Sequence, residues 1–351
     1  MPTAKPPQAA FWEGKNVLVT GHTGFKGAWL TLWLGALGAR VTGVADAVPT
    51  DPALFDLARV QHGVQDVRAD LRDRDAVVAA VRDARPDVVL HLGAQPLVRR
   101  SFADPGETFA VNVLGTANVL DGVRALSGAV QAVVVVTSDK CYAPGPDAHP
   151  EHDPLGGDDP YSASKAAQEH VAAAYRASFG LPVATGRAGN VIGGGDWGAD
   201  RLMPDILAAA LAGRPVELRN PEAVRPWQHV LNPLYGYLLL AEAVAADPAT
   251  FATGWNFGPD PGDELPVRAL VDRIGELWGT PLAVATQPGE HPPETSTLRL
   301  DSARARTELG WAPRWDLDAG LQAIVAWARA YERGDDLREV TLAQIERFAT
   351  G

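Results

Sequence analysis

Residues 16–20, Asn-Val-Leu-Val-Thr, run without a break into a loop bearing Gly21, Gly24 and Gly27, and an uncharged apolar segment follows from Trp29. That order limits the possible folds more than any other feature of the chain. A buried strand, a turn of residues without Cβ and then a helix let backbone N–H groups approach an anion at the helix N-terminus. The G-x-x-G-x-x-G spacing on such a turn points to a dinucleotide pyrophosphate. A tight turn that binds nothing is the plainer alternative. The loop makes Gly21, His22, Gly24, Phe25, Lys26 and Gly27 the first candidate cofactor contacts, with His22 equally readable as a packed loop residue.

The alternation continues along the chain. Strand-like runs at 16–20, 39–45, 64–68, 87–92, 132–137 and 182–187 are separated by stretches of helical spacing at 29–37, 76–81, 108–125 and 163–177. Mostly apolar strands between helices predict an α/β fold of Rossmann type, a doubly wound parallel sheet covered on both faces. The run Ala-Val-Val-Val-Val at 132–136 is the plainest buried strand, and 64–68 is the weakest. Past Asn190 the texture changes to glycines at 193–195, a helix around 204–212, and then Pro215, Pro221, Pro226 and Pro233. Helical spacing returns at 234–246, 267–278 and 317–331. The expected division is a cofactor-binding Rossmann domain over 1–189 and a smaller, interleaved substrate-binding domain over 190–351. Segments around 229–258 are expected to return to the first domain.

Composition narrows the partners. The 351 residues carry 31 Lys and Arg against 43 Asp and Glu, a formal charge of −12. That balance argues against nucleic acid and against an anionic membrane surface, while a few local arginines still suffice for a small anion. Cys141 is the single cysteine. It excludes an intrachain disulfide or a Cys-rich metal cage and fits a reducing cytoplasm. Residues 1–10 lack the apolar core of a secretory signal, and the uncharged stretch 27–39 is too short to span a bilayer. A cytoplasmic protein is expected. His22, His91 and His229 show no ligand spacing, so no metal is expected.

Two further clusters carry chemistry. Asp46, just past the second strand, is placed to hold adenosine ribose hydroxyls, which favours NAD over NADP. Asp70 and Leu71, past the third, are placed near adenine; the plain alternative for both acids is a solvated loop. The fifth strand ends in Thr137, Ser138, Asp139, Lys140, Cys141 and Tyr142, and some twenty residues later Tyr161 and Lys165 open a helix. Four apart, they share one helix face, where an ammonium is expected to lower the phenol's pKa and make it a usable acid/base. Ser138 can hydrogen-bond the same substrate hydroxyl. Cys141 has no identifiable base and reads as structural.

Added to these, the strand-end string from His91 to Gln95, Asn112, the string from Arg225 to Val230 and Trp255 to Gly258 resemble, in order, the extended short-chain dehydrogenase/reductase family (NAD-dependent epimerases and dehydratases). The resemblance covers nearly the whole chain. Within the family, the strings at 21–27, 95–101, 137–142, 153–157, 189–197, 200–205, 219–221 and 225–231 are similar to those of the nucleotide-sugar 4,6-dehydratases that act on CDP-hexoses. The resemblance implies an NAD cofactor, with Gly93, Ala94, Gln95, Asn112, Tyr161 and Lys165 among its contacts. It implies oxidation of a CDP-hexose at C4, loss of water across C5–C6 and return of hydride to C6. Tyr161, assisted by Lys165 and Ser138, would take the 4-hydroxyl proton. Asp139 would serve the 6-hydroxyl and Lys140 C5, with the converse assignment open.

For the substrate, Arg201 and Arg225 would grip the pyrophosphate, Asn190 would add a neutral donor, and Arg219 with Asn220 would lie near the base. Some of these arginines are equally readable as rim ion pairs. Pairing through 108–125 and 163–177 would give a homodimer or a dimer of dimers. Three places depart from the family pattern: the Pro-rich loop 143–150, Gly93 where alanine is usual, and 292–298. Two other functions stay open. A nucleotide-sugar 4-epimerase would need Tyr161 and Lys165 but not Asp139 and Lys140, and a non-catalytic NAD-binding sensor or scaffold would need neither pair.

Overall fold

The computed structural model describes residues 6–145, 148–286 and 299–351. The departure at 292–298 lies outside the described residues, and the loop at 143–150 is described except at 146–147. Seven parallel strands form the central sheet: β1 (Asn16–Thr20), β2 (Arg40–Ala45), β3 (Val64–Arg68), β4 (Val88–His91), β5 (Ala132–Val136), β6 (Val183–Arg187) and β7 (Gly254–Asn256). Their order across the sheet is β3-β2-β1-β4-β5-β6-β7, the doubly wound order, which reverses direction between β1 and β4. β3 is the weakest strand in the sequence because it is the sheet's edge and exposes most of its side chains. β4, β5 and β6 are buried along their whole lengths, which is why β5 reads as an unbroken apolar run, whereas β6 ends in Thr185, Gly186 and Arg187.

Burial on two faces follows from the two-residue period of a strand. Val17, Val19, Val88, Leu90, Ala132 and Val134 face one hydrophobic core, whereas Leu18, Val89, Val133 and Val135 face another. Helices α1 (Phe25–Ala36) and α6 (Leu231–Ala246) cover the first face with Trp29, Trp33, Tyr235 and Leu238. Helices α2 (Arg74–Ala84), α3 (Gly115–Ala125) and α4 (Pro160–Phe179) cover the second with Val77, Val81, Val119 and Ala172. Each large apolar side chain so buried contributes roughly 1.5–3 kcal/mol.

A third core belongs to residues beyond 190. It joins α5 (Leu202–Ala212), α7 (Val267–Trp278) and α8 (Leu317–Arg333) through Ile206, Ile274, Leu321 and Trp227. The last helix, α9 (Leu337–Thr350), returns to the first core, where Phe348 meets Trp33 edge-on at 5.5 Å. Its mixed, charge-rich sequence pattern is hard to separate from that of an exposed tail.

Local signals set the ends of the helices that build the site. α4 begins at Asp159, whose carboxylate accepts from the Ser162 N–H at 3.0 Å, with Pro160 in the first turn, and it ends at Gly180 with φ +64°. A cap of that kind is worth about 1 kcal/mol. α1 differs: no side chain caps its N-terminus, so its first amides are left to a ligand.

The β1–α1 turn is packed as tightly as backbone allows. Gly21 has φ +73°, and a Cβ there would stand 2.8 Å from Gly93 Cα; one at Gly27 would stand 2.0 Å from the Gly21 carbonyl oxygen. The first close approach sets the glycine loop against the end of β4, where the strand order reverses, and the second closes the loop on itself.

One buried ion pair ties the opposite half of the sheet to α4. Glu169 accepts from Arg187 Nη2 at 2.8 Å and Nε at 3.0 Å, and both side chains are about 5% exposed. Removing one partner from such a pair costs roughly 3–5 kcal/mol, because it strands a buried charge.

Candidate active site

A cleft opens at the carboxyl ends of the strands, above the reversal between β1 and β4. Gly21, Gly24, Phe25, Lys26 and Gly27 line it from the first turn, Asp46 from the end of β2, and Asp70 with Leu71 from beyond β3. Gly93 and Ala94 line it from beyond β4, Tyr161 and Lys165 from α4, and Arg201 from the start of α5. The cleft fits a dinucleotide on two observations. The uncapped N-terminus of α1 faces a loop in which a Cβ at Gly21 or Gly27 would collide with backbone, and Asp46 stands exposed at the end of β2 with no ion pair among the described residues. Asp70 is less available. Arg72 binds it through paired hydrogen bonds of 2.9 and 2.6 Å and holds its carboxyl below the usual range.

Three of the residues expected to touch the cofactor do not line the cleft. His22 is fully buried and turned into the sheet, its Nε2 2.9 Å from Asp66 and its ring packed on Phe55 and over Gly43. Burial keeps that imidazole below its ordinary pKa. Gln95 and Asn112 act one layer back. Asn112 Oδ1 accepts from the Gln95 N–H at 2.7 Å, and its Nδ2 donates to Ser164 Oγ at 2.8 Å. It therefore ties the loop after β4 to α4, one residue before Lys165. Asn112 sits in a π-turn, Ala110–Leu114, an irregularity that often marks a functional region.

The acid/base candidates gather where β5 ends. Ser138 Oγ donates to Asp139 Oδ1 at 2.7 Å and accepts from the Lys140 N–H at 3.2 Å. The same hydroxyl stands near enough to Tyr161 to draw its phenol pKa down, so Ser138 neighbours both the phenol and the carboxylate. Asp139 is 4% exposed. Its room is made by Gly189, where a Cβ would overlap the carboxylate at 1.7 Å. The glycine that follows the β6 strand end carried this signal in the sequence, but only the fold shows which side chain it admits. Cys141 is buried and its thiol pushed well up by that burial, consistent with a packing role.

The electrostatics correct one expectation. Lys165 does not draw the Tyr161 phenol down; burial pushes it up to about 12, with the Ser138 hydrogen bond acting the other way. Lys165 is itself pushed down to about 7, by burial first and by Lys26 second. Its Nζ lies 5.9 Å from the Tyr161 ring centre and donates to the Val136 carbonyl at 3.4 Å. Desolvation is the largest cause of both shifts. Lys26 is pushed down to about 8 by burial and by Arg201, against the pull of Asp139 and Asp196.

Of the residues expected on the substrate, Arg201 reaches this cleft, held from behind by Asp196 at 3.1 Å. Asn190 stands at the end of β6 with φ +49°, one residue past Gly189. Arg219, Asn220 and Arg225 lie outside the cleft lining. Arg219 donates to Asp200 at 2.9 Å, and Arg99 meets the same carboxylate at 3.2 Å. Arg225 lies on the short strand Val224–Pro226, paired antiparallel with Glu264–Pro266, and donates to the Val224 carbonyl. Among the described residues, no group of three or more His, Cys, Asp or Glu could hold a metal, and no helix is long and apolar enough to cross a membrane.

Comparison with known proteins agrees with this arrangement. The profile of the family described as GDP-mannose 4,6 dehydratase matches residues 18–324. The chain is 45% identical, over 93% of its length and 94% of the relative's, to a CDP-glucose 4,6-dehydratase of Salmonella typhimurium. It is 31% identical to a UDP-glucose 4-epimerase of Mycolicibacterium smegmatis, over 90% of this chain and 98% of the other. Its fold superimposes with a TM-score of 0.77 on DesIV, a dTDP-glucose 4,6-dehydratase of Streptomyces venezuelae solved with NAD bound, at 25% identity over 92% of this chain and 99% of that one.

Two predictions follow from this geometry. Gly189→Ala forces the Asp139 carboxylate from its place, so kcat should fall by about 10²-fold while NAD affinity, read by titration calorimetry, stays unchanged. Wild-type turnover in that variant would remove Asp139 from the mechanism. The second concerns Lys165, whose pKa falls from 10.5 unfolded to about 7 folded. Below about pH 7 both states carry the proton and the buried ammonium opposes folding fully; from there towards 10.5 only the unfolded chain carries it, so stability rises with pH. Lys165→Met should raise the Tm by a few degrees near pH 6 and by less near pH 9, as scanning calorimetry would show.

Proposed function

The chain belongs to the GDP-mannose 4,6-dehydratase family, and on that premise we propose that it converts CDP-glucose to CDP-4-keto-6-deoxyglucose, as an NAD-dependent hydro-lyase. One observation carries the reading: the Ser138 hydroxyl that binds the buried Asp139 also acts on Tyr161, so two acid/base candidates stand together in a single site. Epimerisation at C4 needs only the first set. Dehydration needs a second, because after C4 is oxidised a proton must leave C5 while the 6-hydroxyl departs as water. The CDP-glucose dehydratase relative supports the choice of base and sugar.

When bound, NAD supplies a reversible hydride acceptor of positive charge. Gly21, Gly24 and Gly27 with the α1 N-terminus would hold its pyrophosphate, Asp46 a ribose hydroxyl, and Asp70 and Leu71 the adenine side. Tyr161 takes the proton of the 4-hydroxyl as C4 is oxidised, oriented by Ser138 and aided by Lys165. The 4-keto group acidifies C5–H. Lys140 removes that proton and Asp139 protonates the leaving 6-hydroxyl; the sugar then regains hydride at C6 and a proton at C5, with no net oxidation. Arg201 contacts the substrate diphosphate, with Asn190 and Arg225 beside it and Arg219 with Asn220 towards the base.

The division of labour we propose assigns NAD to residues 1–189 together with the return through α6 and β7, and the nucleotide sugar mainly to the rest. We place the chain in the cytoplasm, in keeping with a lone buried thiol. It pairs with a second copy through the apolar groove between the 105–125 region and α4, where Phe109 and Leu114 are 40% and 51% exposed.

A panel of ADP-, CDP-, GDP-, UDP- and dTDP-glucose tests the reading. CDP-glucose should give the 4-keto-6-deoxy sugar with kcat/KM at least about tenfold above the others, whereas CDP-galactose as the product would contradict it. For assembly, Leu114→Glu should convert the dimer to a monomer in light scattering, and an unchanged dimer would rule out that surface.

A further inference from the structure

We propose that Glu169 is a positioning residue that couples the Tyr161–Lys165 pair to the Asp139–Lys140 pair, an inference that rests on the dehydratase reading above. Glu169 follows Lys165 by one turn of α4 and touches neither ligand site. Its carboxylate holds the three chain segments that carry the site. Oε1 accepts from Thr137 Oγ1 at 2.5 Å and from Arg187 Nε at 3.0 Å; Oε2 accepts from Thr185 Oγ1 at 2.6 Å and from Arg187 Nη2 at 2.8 Å. Thr137 immediately precedes Ser138 and Asp139, and Arg187 precedes by two residues the glycine whose missing Cβ admits Asp139.

The far side of the catalytic turn is bound to the same pair. Arg187 Nη1 donates to the Tyr142 hydroxyl at 2.6 Å, which in turn donates to Asn256 Oδ1 on β7 at 2.7 Å. The turn Asp139–Cys141 is thus gripped at both flanks, Thr137 and Tyr142, by one buried ion pair that also sits on the helix of Tyr161 and Lys165. Burial alone would push the Glu169 carboxyl up, but Arg187 and the two threonine hydroxyls hold it below its usual range. It therefore remains an acceptor for all four bonds. Four bonds to two oxygens fix the carboxylate in position and orientation, so a displacement of α4 moves the elimination pair with it.

A merely structural ion pair would treat its two threonines alike, and this gives the test. Thr137 and Thr185 are 4% and 2% exposed and each gives one hydroxyl to the same carboxylate. Only Thr137 adjoins Ser138. Thr137→Val should lower kcat by about 10-fold or more with KM within about twofold, since small misplacements of reacting groups cost up to about 10²-fold. Single-turnover quenching of that variant should recover sugar oxidised at C4 by the bound NAD but still carrying its 6-hydroxyl. Thr137→Ser should restore kcat, and Thr185→Val should stay within about twofold of wild type at a comparable loss of Tm. Equal effects of the two valine variants, or no effect of either, would overturn the inference while wild-type dehydration stands. A wild-type chain that forms no 4-keto-6-deoxy sugar would instead overturn the activity itself.

Discussion

A parallel sheet covered on both faces offers no open surface for polar chemistry; it offers only the ends of its strands. The candidate acid/base and cofactor-facing groups obey that constraint. The glycine loop follows β1, Asp46 follows β2, Gly93 follows β4, Ser138 and Asp139 follow β5, and Gly189 and Asn190 follow β6. The reversal of strand order between β1 and β4 parts the loops and leaves the crevice in which such folds bind ligands. The close approach of Gly21 to Gly93 fixes how near the two sides of that crevice stand.

Dryness of the crevice governs its chemistry. Tyr161, Lys165 and Lys26 are displaced in the direction that burial dictates, the phenol up to about 12 and the ammonium groups down to about 7 and 8. The folded chain alone thus favours a protonated tyrosine beside a lysine poised near neutrality. Burial opposes folding at the two lysines while bringing their ammonium groups nearer neutrality, and moves the phenol further from it. The same low dielectric strengthens each hydrogen bond that Ser138 and Glu169 make.

Much of this was legible in the residues. Fully buried strands such as β5 announce themselves as unbroken apolar runs, and glycines at a strand-to-helix turn announce close backbone contact. The Tyr161–Lys165 spacing places both groups on one helix face by the helical period alone. What stayed hidden depends on contacts between distant residues. Glu169 reaches Thr137, 32 residues away, and nothing local marks either as a partner. His22 and Gln95 on their loops and Asn112 on its π-turn lie in the right strings but turn inward, because their side-chain direction is set by what packs behind them. The sign of the Tyr161 shift is hidden for the same reason: spacing reveals the neighbouring lysine, whereas burial appears only once the chain is folded.

The central claim is that one site oxidises C4 and reduces C6 of the same sugar. CDP-glucose deuterated at C4 tests it most directly, with the product's label located by NMR. The account predicts deuterium at C6 of a 4-keto-6-deoxy sugar. Deuterium kept at C4 of an epimerised hexose, or lost from the sugar altogether, would contradict it.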